Sequence, residues 1–185
     1  VKFIIAGKGG MMDELKAKAN YLGISDKVYF TGQLCPQDLY TMYKCADVAV
    51  FPSTYEPFGI VAIEGMYAGT PIVVSDVGGL NEIVEHGVTG MKSYAGNANS
   101  LADSILSLLF DQQLAYNVAK NGKEKVKNVY NWTIIAQDTH FTYQKAICET
   151  VAAKQAKELQ QERERKTKKI RQSNLIKFMK QESYA

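Results

Sequence analysis

Short apolar runs rich in valine and isoleucine alternate along this chain with longer segments of mixed polarity. The runs lie at residues 2–6, 27–31, 48–51 and 72–75, with a weaker one at residues 89–92. Glycine or proline borders most of them, as is typical of short buried strands. The pattern therefore predicts five β-strands.

The segments between and after these runs have the length and composition of helices. They cover residues 12–22 and 37–45, a segment from Gly59 onward, a short one near residues 80–86, and three longer ones at 98–110, 112–129 and 133–149. Strands that are each followed by a helix indicate an α/β fold, with a parallel sheet covered by helices on both faces. Right-handed crossovers then place the carboxyl end of every strand at one edge, where ligands bind.

The size and composition of the chain set limits on its class. Its 185 residues, 46% of them apolar, suffice for one domain with a core. No apolar run is long enough to span a membrane, and residues 1–6 are too short to form a leader. Cys35, Cys45 and Cys148 do not have the spacing of metal ligands, so no metal site is expected. An odd number of cysteines favours a reducing, cytoplasmic setting.

Charge is divided unevenly along the chain. Residues 1–150 contain no arginine and carry a net charge of −3, whereas residues 151–185 carry +6. The overall charge of +3 therefore comes from the tail and does not indicate nucleic-acid binding by the folded part. We expect a domain at residues 1–150 and a basic tail at residues 151–185, either helical or disordered.

The end of the tail regains apolar character among its lysines. The apolar residues are Ile170, Leu175, Ile176, Phe178 and Met179. A basic amphipathic segment of this kind is consistent with weak, peripheral contact with an anionic membrane. The alternatives are a solvated or disordered end, or a tail that packs against another domain.

The segment from Glu56 to Glu64 carries the most informative chemistry. It follows the apolar run at 48–51 and Pro52, so it forms a loop and then a helix that starts near Gly59. A helix start has unpaired backbone N–H groups and the positive end of the helix dipole, which together favour an anion. Two carboxylates beside such an anion suit a sugar diphosphate flanked by two sets of hydroxyls.

This segment resembles the E-x7-E run of retaining GT-B glycosyltransferases, especially those of family 4, which includes glycogen and sucrose synthase-like enzymes. The flanking residues 53–59, 64–74 and 76–84, the last with a glycine pair and acidic residues, extend the resemblance, which covers roughly residues 2–147. It implies a Rossmann-like nucleotide-sugar-binding domain, the C-terminal half of a GT-B fold. In this family Trp132 would start the final helix of the domain and pack in the core.

The resemblance also implies roles for individual residues. Glu56 would be the catalytic residue and bind hydroxyls of the donor hexose, and Glu64 would bind the ribose hydroxyls. Backbone amides would bind the diphosphate, namely those of Phe58, Gly59, Ile60 and Val61. Leu34, in the loop after the second strand, would meet the edge of the base. No metal or other cofactor is implied, and the donor would be a UDP-, ADP- or GDP-sugar.

Simpler interpretations exist for several of these residues. Glu64 could merely complement the dipole of its helix, and Leu34 could belong to a plain β–α loop. Gly78 and Gly79 could form a second turn that faces the anion, although a structural turn is favoured. The glycine-rich turn at residues 7–10 follows a strand, but Met12 stands where a dinucleotide-binding motif needs its third glycine.

A part of the family pattern is absent from this sequence. In the family, a strand that precedes residues 2–6 carries an arginine and a lysine that hold the diphosphate. In the usual strand order this strand is central, so the sheet would lack its middle member. We therefore expect a fragment of a longer enzyme, without its N-terminal acceptor domain and inactive or weakly active alone.

The expected function is that of the donor-binding domain of a retaining glycosyltransferase, which transfers a hexose from a nucleotide-diphosphate sugar to a sugar, polysaccharide or lipid. Two alternatives stay open. One is a non-catalytic nucleotide-sugar-binding module, and the other is a different GT-B enzyme such as a nucleotide-sugar epimerase.

Overall fold

A computed structural model describes the backbone of residues 1–182 and the side chains of residues 1–168. The elements in chain order are β1 (Phe3–Ala6), α1 (Met12–Tyr21), β2 (Val28–Gly32), α2 (Pro36–Cys45), β3 (Ala49–Phe51), α3 (Ile60–Ala68), β4 (Ile72–Ser75), α4 (Gly78–Ile83), β5 (Met91–Ser93), α5 (Ala98–Phe110), α6 (Gln112–Val129) and α7 (Trp132–Glu182). The predicted alternation of strands and helices is confirmed, and the bounds of β4, α5 and α6 agree with the prediction residue for residue.

The strands form two parallel sheets, one of β1 and β2 and one in the order β3-β4-β5. Both β1 and β3 are edge strands, and no described strand joins them. This division agrees with the expectation of a sheet that lacks its middle member.

The three-stranded sheet is covered by helices on both faces. Ile72 and Val74 of β4 pack on one face in a core with α3, α4 and Val126 of α6. Val73 points to the other face and packs with Leu108 of α5 and Val118 of α6. Side chains alternate between the two faces along a strand, and Ile72, Val73 and Val74 are all apolar. Strand β4 therefore contributes to the cores on both faces.

The two-stranded sheet is covered much less. Phe3, Ile4 and Ile5 of β1 are 45%, 50% and 40% exposed, and Ala19 is the one buried residue of α1. Among the described residues, this sheet is therefore covered less than the three-stranded sheet. The apolar composition of β1 is that of a strand buried on both sides.

Residues Val1–Asn131 and Trp132–Ala185 form two compact units. The second consists of α7, whose predicted end at residue 149 was wrong, because the helix continues to Glu182. The chain contains no glycine or proline after Trp132, and Lys, Glu, Gln and Ala prevail, so nothing in the sequence ends the helix. The predicted domain boundary after residue 150 falls within α7 and stays a prediction.

Two further expectations concern α7. Trp132, predicted to pack in the core, is 83% exposed, so that prediction was wrong. The apolar cluster from Ile170 to Met179 lies outside the residues whose side chains are described, and no finding supports its contact with a membrane. Within residues 1–182, no helix combines the length and apolar composition that crossing a membrane requires.

Candidate functional site

The loops that follow β3, β4 and β5 meet at one edge of the three-stranded sheet. All three strands run parallel, so their carboxyl ends lie on the same side. The loop after β3 contains Glu56, and the loop after β4 leads through Asp76 to the glycine pair at the start of α4. This edge is where open α/β sheets bind ligands.

The loop that carries Glu56 is held by the backbone of the glycine pair. The N–H of Gly79 donates a hydrogen bond to the carbonyl oxygen of Glu56 at 2.9 Å. A β-carbon on Gly78 would collide with that same oxygen, and one on Gly79 would collide with the carbonyl oxygen of Phe58. The pair thus has the structural role that the sequence favoured, since it allows two loops to approach backbone to backbone.

Gly59 starts α3 in a conformation that few other residues adopt. Its φ of +96° lies in the left-handed region, and no side chain caps the helix. A β-carbon there would lie 2.8 Å from Cδ2 of Leu80. Gly59 is therefore required both by its backbone conformation and by the packing of α3 against α4.

The start of α3 has free backbone donors. The N–H groups of Ala62 and Ile63 donate to the carbonyl oxygen of Gly59 at 3.0 and 3.3 Å. For the N–H groups of the four preceding residues, 58 to 61, the described part of the chain provides no acceptor. These are the amides that the sequence assigned to an anion, and a helix start with such groups attracts negative charge.

Three of these four residues are exposed, and Gly59 is buried. Phe58 is 53% exposed, and its ring meets that of Tyr130 edge-on, with the centroids 6.5 Å apart. Ile60 and Val61 are also exposed. Burial, and secondarily the carboxylate of Glu82, raises the pKa of Tyr130, which therefore stays neutral beside Phe58.

The two predicted carboxylates differ in their surroundings. Glu56 is half-buried, whereas Glu64 is exposed on the second turn of α3. Neither makes an ion pair or a side-chain hydrogen bond with any residue whose side chain the structure describes. Burial, and secondarily the carboxylate of Glu64, raises the pKa of Tyr43 to about 12. Both carboxylates are thus available to a ligand.

Leu34 belongs to a different loop from this group of residues. It is half-buried in the loop between β2 and α2, and β2 belongs to the two-stranded sheet. None of the hydrogen bonds found in the described part of the chain joins it to the Glu56 loop. The residues from Glu56 to Glu64 lie together on the loop after β3 and on α3, and the role of Leu34 stays a prediction.

Two positions were missed by the sequence reasoning. A β-carbon on Gly65 would lie 3.2 Å from the Phe51 ring and 3.3 Å from Ile72, so this glycine sets the close packing of α3 on β3 and β4. Lys92 of β5 lies 3.6 Å from the carboxylate of Asp76 and also binds Asn81. The spacing of four residues between Gly65 and Gly69 is a sequence signal that could have indicated the close packing at Gly65. No sequence pattern near Lys92 indicates its contacts.

In the part of the chain that the structure describes, no group of three or more His, Cys, Asp or Glu side chains could hold a metal ion. All three cysteines are exposed and free.

Comparisons with known proteins give one consistent family. The family model of "Glycosyl transferases group 1" matches residues 1–125. An uncharacterized glycosyltransferase of Methanocaldococcus jannaschii is 44% identical over 146 residues, which are 79% of this chain and 37% of that protein. This chain therefore spans well under half the length of that relative.

Solved structures share this fold. The sucrose-phosphate synthase of Thermosynechococcus elongatus is 34% identical, with a TM-score of 0.71 over 78% of this chain and 38% of its own. The Anabaena protein HepE, in complex with UDP-glucose, is 29% identical with a TM-score of 0.72, over 78% of this chain and 41% of its own.

Proposed function

Because this chain belongs to the group 1 glycosyl transferases and has the fold of GT-B glycosyltransferases, we propose that it is the donor-binding domain of a retaining enzyme. Such an enzyme transfers a hexose from a nucleotide-diphosphate sugar to a sugar, polysaccharide or lipid acceptor. The main support for this proposal is the start of α3, where backbone N–H groups without an acceptor lie next to a loop that the glycine pair fixes.

The diphosphate is assigned to the amides at residues 58–61. They point outward from a helix start, and their alignment with the helix dipole stabilises negative charge without a side-chain cation. The unit formed by Val1–Asn131 has no arginine that could bind the diphosphate with two hydrogen bonds. In this proposal the backbone amides are therefore the rigid hydrogen-bond donors. As the bond to the sugar breaks, charge grows on the diphosphate, and preorganised amides stabilise that charge most.

The two carboxylates of the E-x7-E run receive separate roles, as in family 4 enzymes. Glu56 is assigned to the hydroxyls of the donor hexose, because its loop is fixed relative to the open amides. Glu64 is assigned to the ribose hydroxyls, since an exposed carboxylate can accept two hydrogen bonds from a vicinal diol. Leu34 is assigned to the edge of the base, as in the resemblance from which this role comes.

The donor belongs to the UDP-, ADP- or GDP-sugars, and no metal is required in this proposal. UDP-glucose in the HepE structure favours a uridine nucleotide. The acceptor domain is supplied by another part of the enzyme, which agrees with relatives that are more than twice as long as the matched region. A cytoplasmic setting is part of the same proposal.

Calorimetric titration with UDP, ADP, GDP and UDP-glucose tests these assignments. Glu64→Ala should weaken every nucleotide by about 1.5–3 kcal/mol, because a charge-assisted pair is lost. Glu56→Ala should spare UDP and weaken UDP-glucose. Glu14→Ala, which removes an exposed glutamate of α1, is the matched control and should change neither affinity.

The pattern of losses decides the proposal. Equal losses for UDP and UDP-glucose in both variants would overturn the division of roles between the two glutamates. Failure of all four ligands to bind would remove the donor-binding function from this chain.

A further inference from the structure

A cavity of about 600 Å³ opens at the carboxyl ends of β4 and β5, outside the candidate donor site. Asp76 follows β4, Tyr94 follows β5, and β5 itself, the first two turns of α5 and His86 from the α4–β5 connection complete the wall. Its volume is within the range of small-molecule sites. The Asp76 loop leads directly to the glycine pair that holds Glu56, so the two sites share one edge of the sheet.

The wall of this cavity is fixed by internal hydrogen bonds. The Lys92 ammonium donates to the carbonyl and side-chain oxygens of Asn81 and pairs with Asp76. The side chain of Asn97 accepts from the N–H of Ser100 at 3.0 Å, which caps α5. Groups that are held in this way lose little freedom when a ligand binds.

Three other side chains of the wall are free to bind a ligand. The side chains of Tyr94, Asn99 and Asp103 line the cavity and are exposed. None of the three makes a side-chain hydrogen bond or ion pair among the residues that the structure describes. They provide an aromatic face, an amide and a carboxylate that converge on one volume.

The charge of the cavity selects against an anion. Asp76 and Asp103 contribute two negative charges, and Lys92, whose side chain is 19% exposed, contributes one positive charge. The net negative field disfavours phosphate or a nucleotide diphosphate. A carboxylate and an amide bind vicinal hydroxyls, and an aromatic face packs on the apolar side of a sugar ring.

We propose that this cavity binds one neutral hexose unit of a carbohydrate chain, beside the donor site. The inference rests on the proposed transfer to a carbohydrate, and it names a second sugar subsite on the same sheet edge. A chain end held there would lie near the fixed Glu56 loop while the diphosphate occupies the start of α3.

Chemical-shift titration of the ¹⁵N-labelled chain with D-glucose, maltotriose and inorganic phosphate tests the proposal. Both sugars should shift the backbone amides of Tyr94, Asn97, Asn99 and Asp103, with maltotriose the tighter ligand. Tyr94→Ala and Asp103→Asn should each weaken sugar binding by about fivefold to tenfold. Tyr116→Ala and Asp13→Asn, at exposed positions elsewhere, are the matched controls and should bind as the wild type does.

Three results would overturn the proposal: no shift with either sugar, sugar binding by Tyr94→Ala and Asp103→Asn that equals that of the wild type, or stronger shifts of the same amides with phosphate. A parallel titration with UDP reports on the amides of residues 59–61. Loss of the UDP response with sugar shifts retained would remove the proposed donor site and leave this subsite standing, so the two failures are distinguishable.

Discussion

The loop that carries Glu56 is positioned by two neighbouring residues without a β-carbon, Gly78 and Gly79. At Gly78 and Gly79 the backbone of the β4–α4 connection touches carbonyl oxygens of the Glu56 loop, and one of these contacts is a hydrogen bond of 2.9 Å. Any side chain would push the loops apart. The role proposed for Glu56 requires a fixed loop, and backbone contacts with the glycine pair fix it.

Gly79→Ala should therefore damage both stability and donor binding. Its β-carbon has no room beside the carbonyl of Phe58, and overpacking of this kind costs about 1–3 kcal/mol. Urea unfolding and UDP-glucose titration measure the two effects. Gly10→Ala, where a β-carbon meets nothing within 4 Å, is the control. Similar behaviour of the two variants would show that the close approach is not required.

Tyr43 should give the protein an alkaline instability. Its folded pKa, raised to about 12 by burial and by Glu64, exceeds the usual 10.0, so the unfolded chain loses this proton first as pH rises. The stabilising effect is complete below pH 10 and is lost as pH rises to about 12. The wild type should lose at most roughly 2–3 kcal/mol more of its free energy of unfolding across this window than Tyr43→Phe does.

Urea unfolding from pH 9 to 12 checks this expectation, and the other tyrosines cancel in the comparison. Glu64→Ala should lower the pKa of Tyr43, which tyrosinate absorbance would detect. Parallel pH profiles for wild type and Tyr43→Phe would contradict the prediction.

At this scale the sequence was enough to propose a candidate site but not the contacts that position its residues. Glu56, Gly59 and Glu64 could be proposed together because they lie within nine residues of one another. The contact of Glu56 with Gly79 joins residues of two different loops, and no local pattern encodes it. The contacts of Lys92 with Asp76 and Asn81 were not predicted for the same reason.

Among the elements, α3 is the helix whose boundaries are set most clearly by glycines at both ends. It begins at Gly59 and ends at Gly69, both with positive φ, and its apolar side chains include the buried Ala62 and Met66. Because no side chain caps its start, the conformation of Gly59 alone turns the chain from the loop into the helix.

Gly59→Ala should shift the start of α3 and destabilise the domain. The change adds backbone strain of about 1–2 kcal/mol to a clash with Leu80 at 2.8 Å. Gly96→Ala is the matched control, because its φ is +71° but nothing lies within 4 Å. The difference in free energy of unfolding between the two variants, measured in urea, gives the cost of packing. A zero difference would show that α3 and α4 can separate freely.

The accuracy of the predicted bounds follows local chemistry. Helix α5 could be placed because Asn97 caps it, and α6 because Asp111 accepts from the N–H of Leu114 at 2.9 Å. Helix α4 starts two residues earlier than predicted, since its first two residues are glycines that usually indicate a turn. The length of α7 was missed because its sequence has no stop signal and no apolar face that marks where packing ends.

At the scale of the molecule, the two sheets are protected unequally. The β3-β4-β5 sheet is covered on both faces, whereas the side chains of β1 are 40–50% exposed. Strands with few buried contacts open locally at small free-energy cost. The parallel pairing of β1 with β2 could be predicted from its composition, but its exposure depends on which strand lies beside it.

Amide hydrogen exchange should separate the two sheets. The amides of β1 should exchange at least about a hundredfold faster than those of β4, because local opening of β1 exposes little additional apolar surface. Exchange followed by mass spectrometry on peptides that cover residues 3–6 and 72–75 measures this difference, with Val28–Gly32 as a second probe of the weaker sheet. Equal protection would show that the two sheets unfold as one unit.

The open edge of β1 also affects how the chain behaves at high concentration. Among residues 1–182 one edge of β1 pairs with no other strand, and such an edge is a template for another copy. The run Phe3-Ile4-Ile5 in this strand is apolar and uncharged. Lys2 and Lys8 flank this run, and their mutual repulsion between copies opposes stacking. Added salt screens that repulsion. We therefore expect solutions of this chain to be clear at low ionic strength and to form β-rich aggregates as salt is raised, the reverse of the salting-in usual for folded proteins.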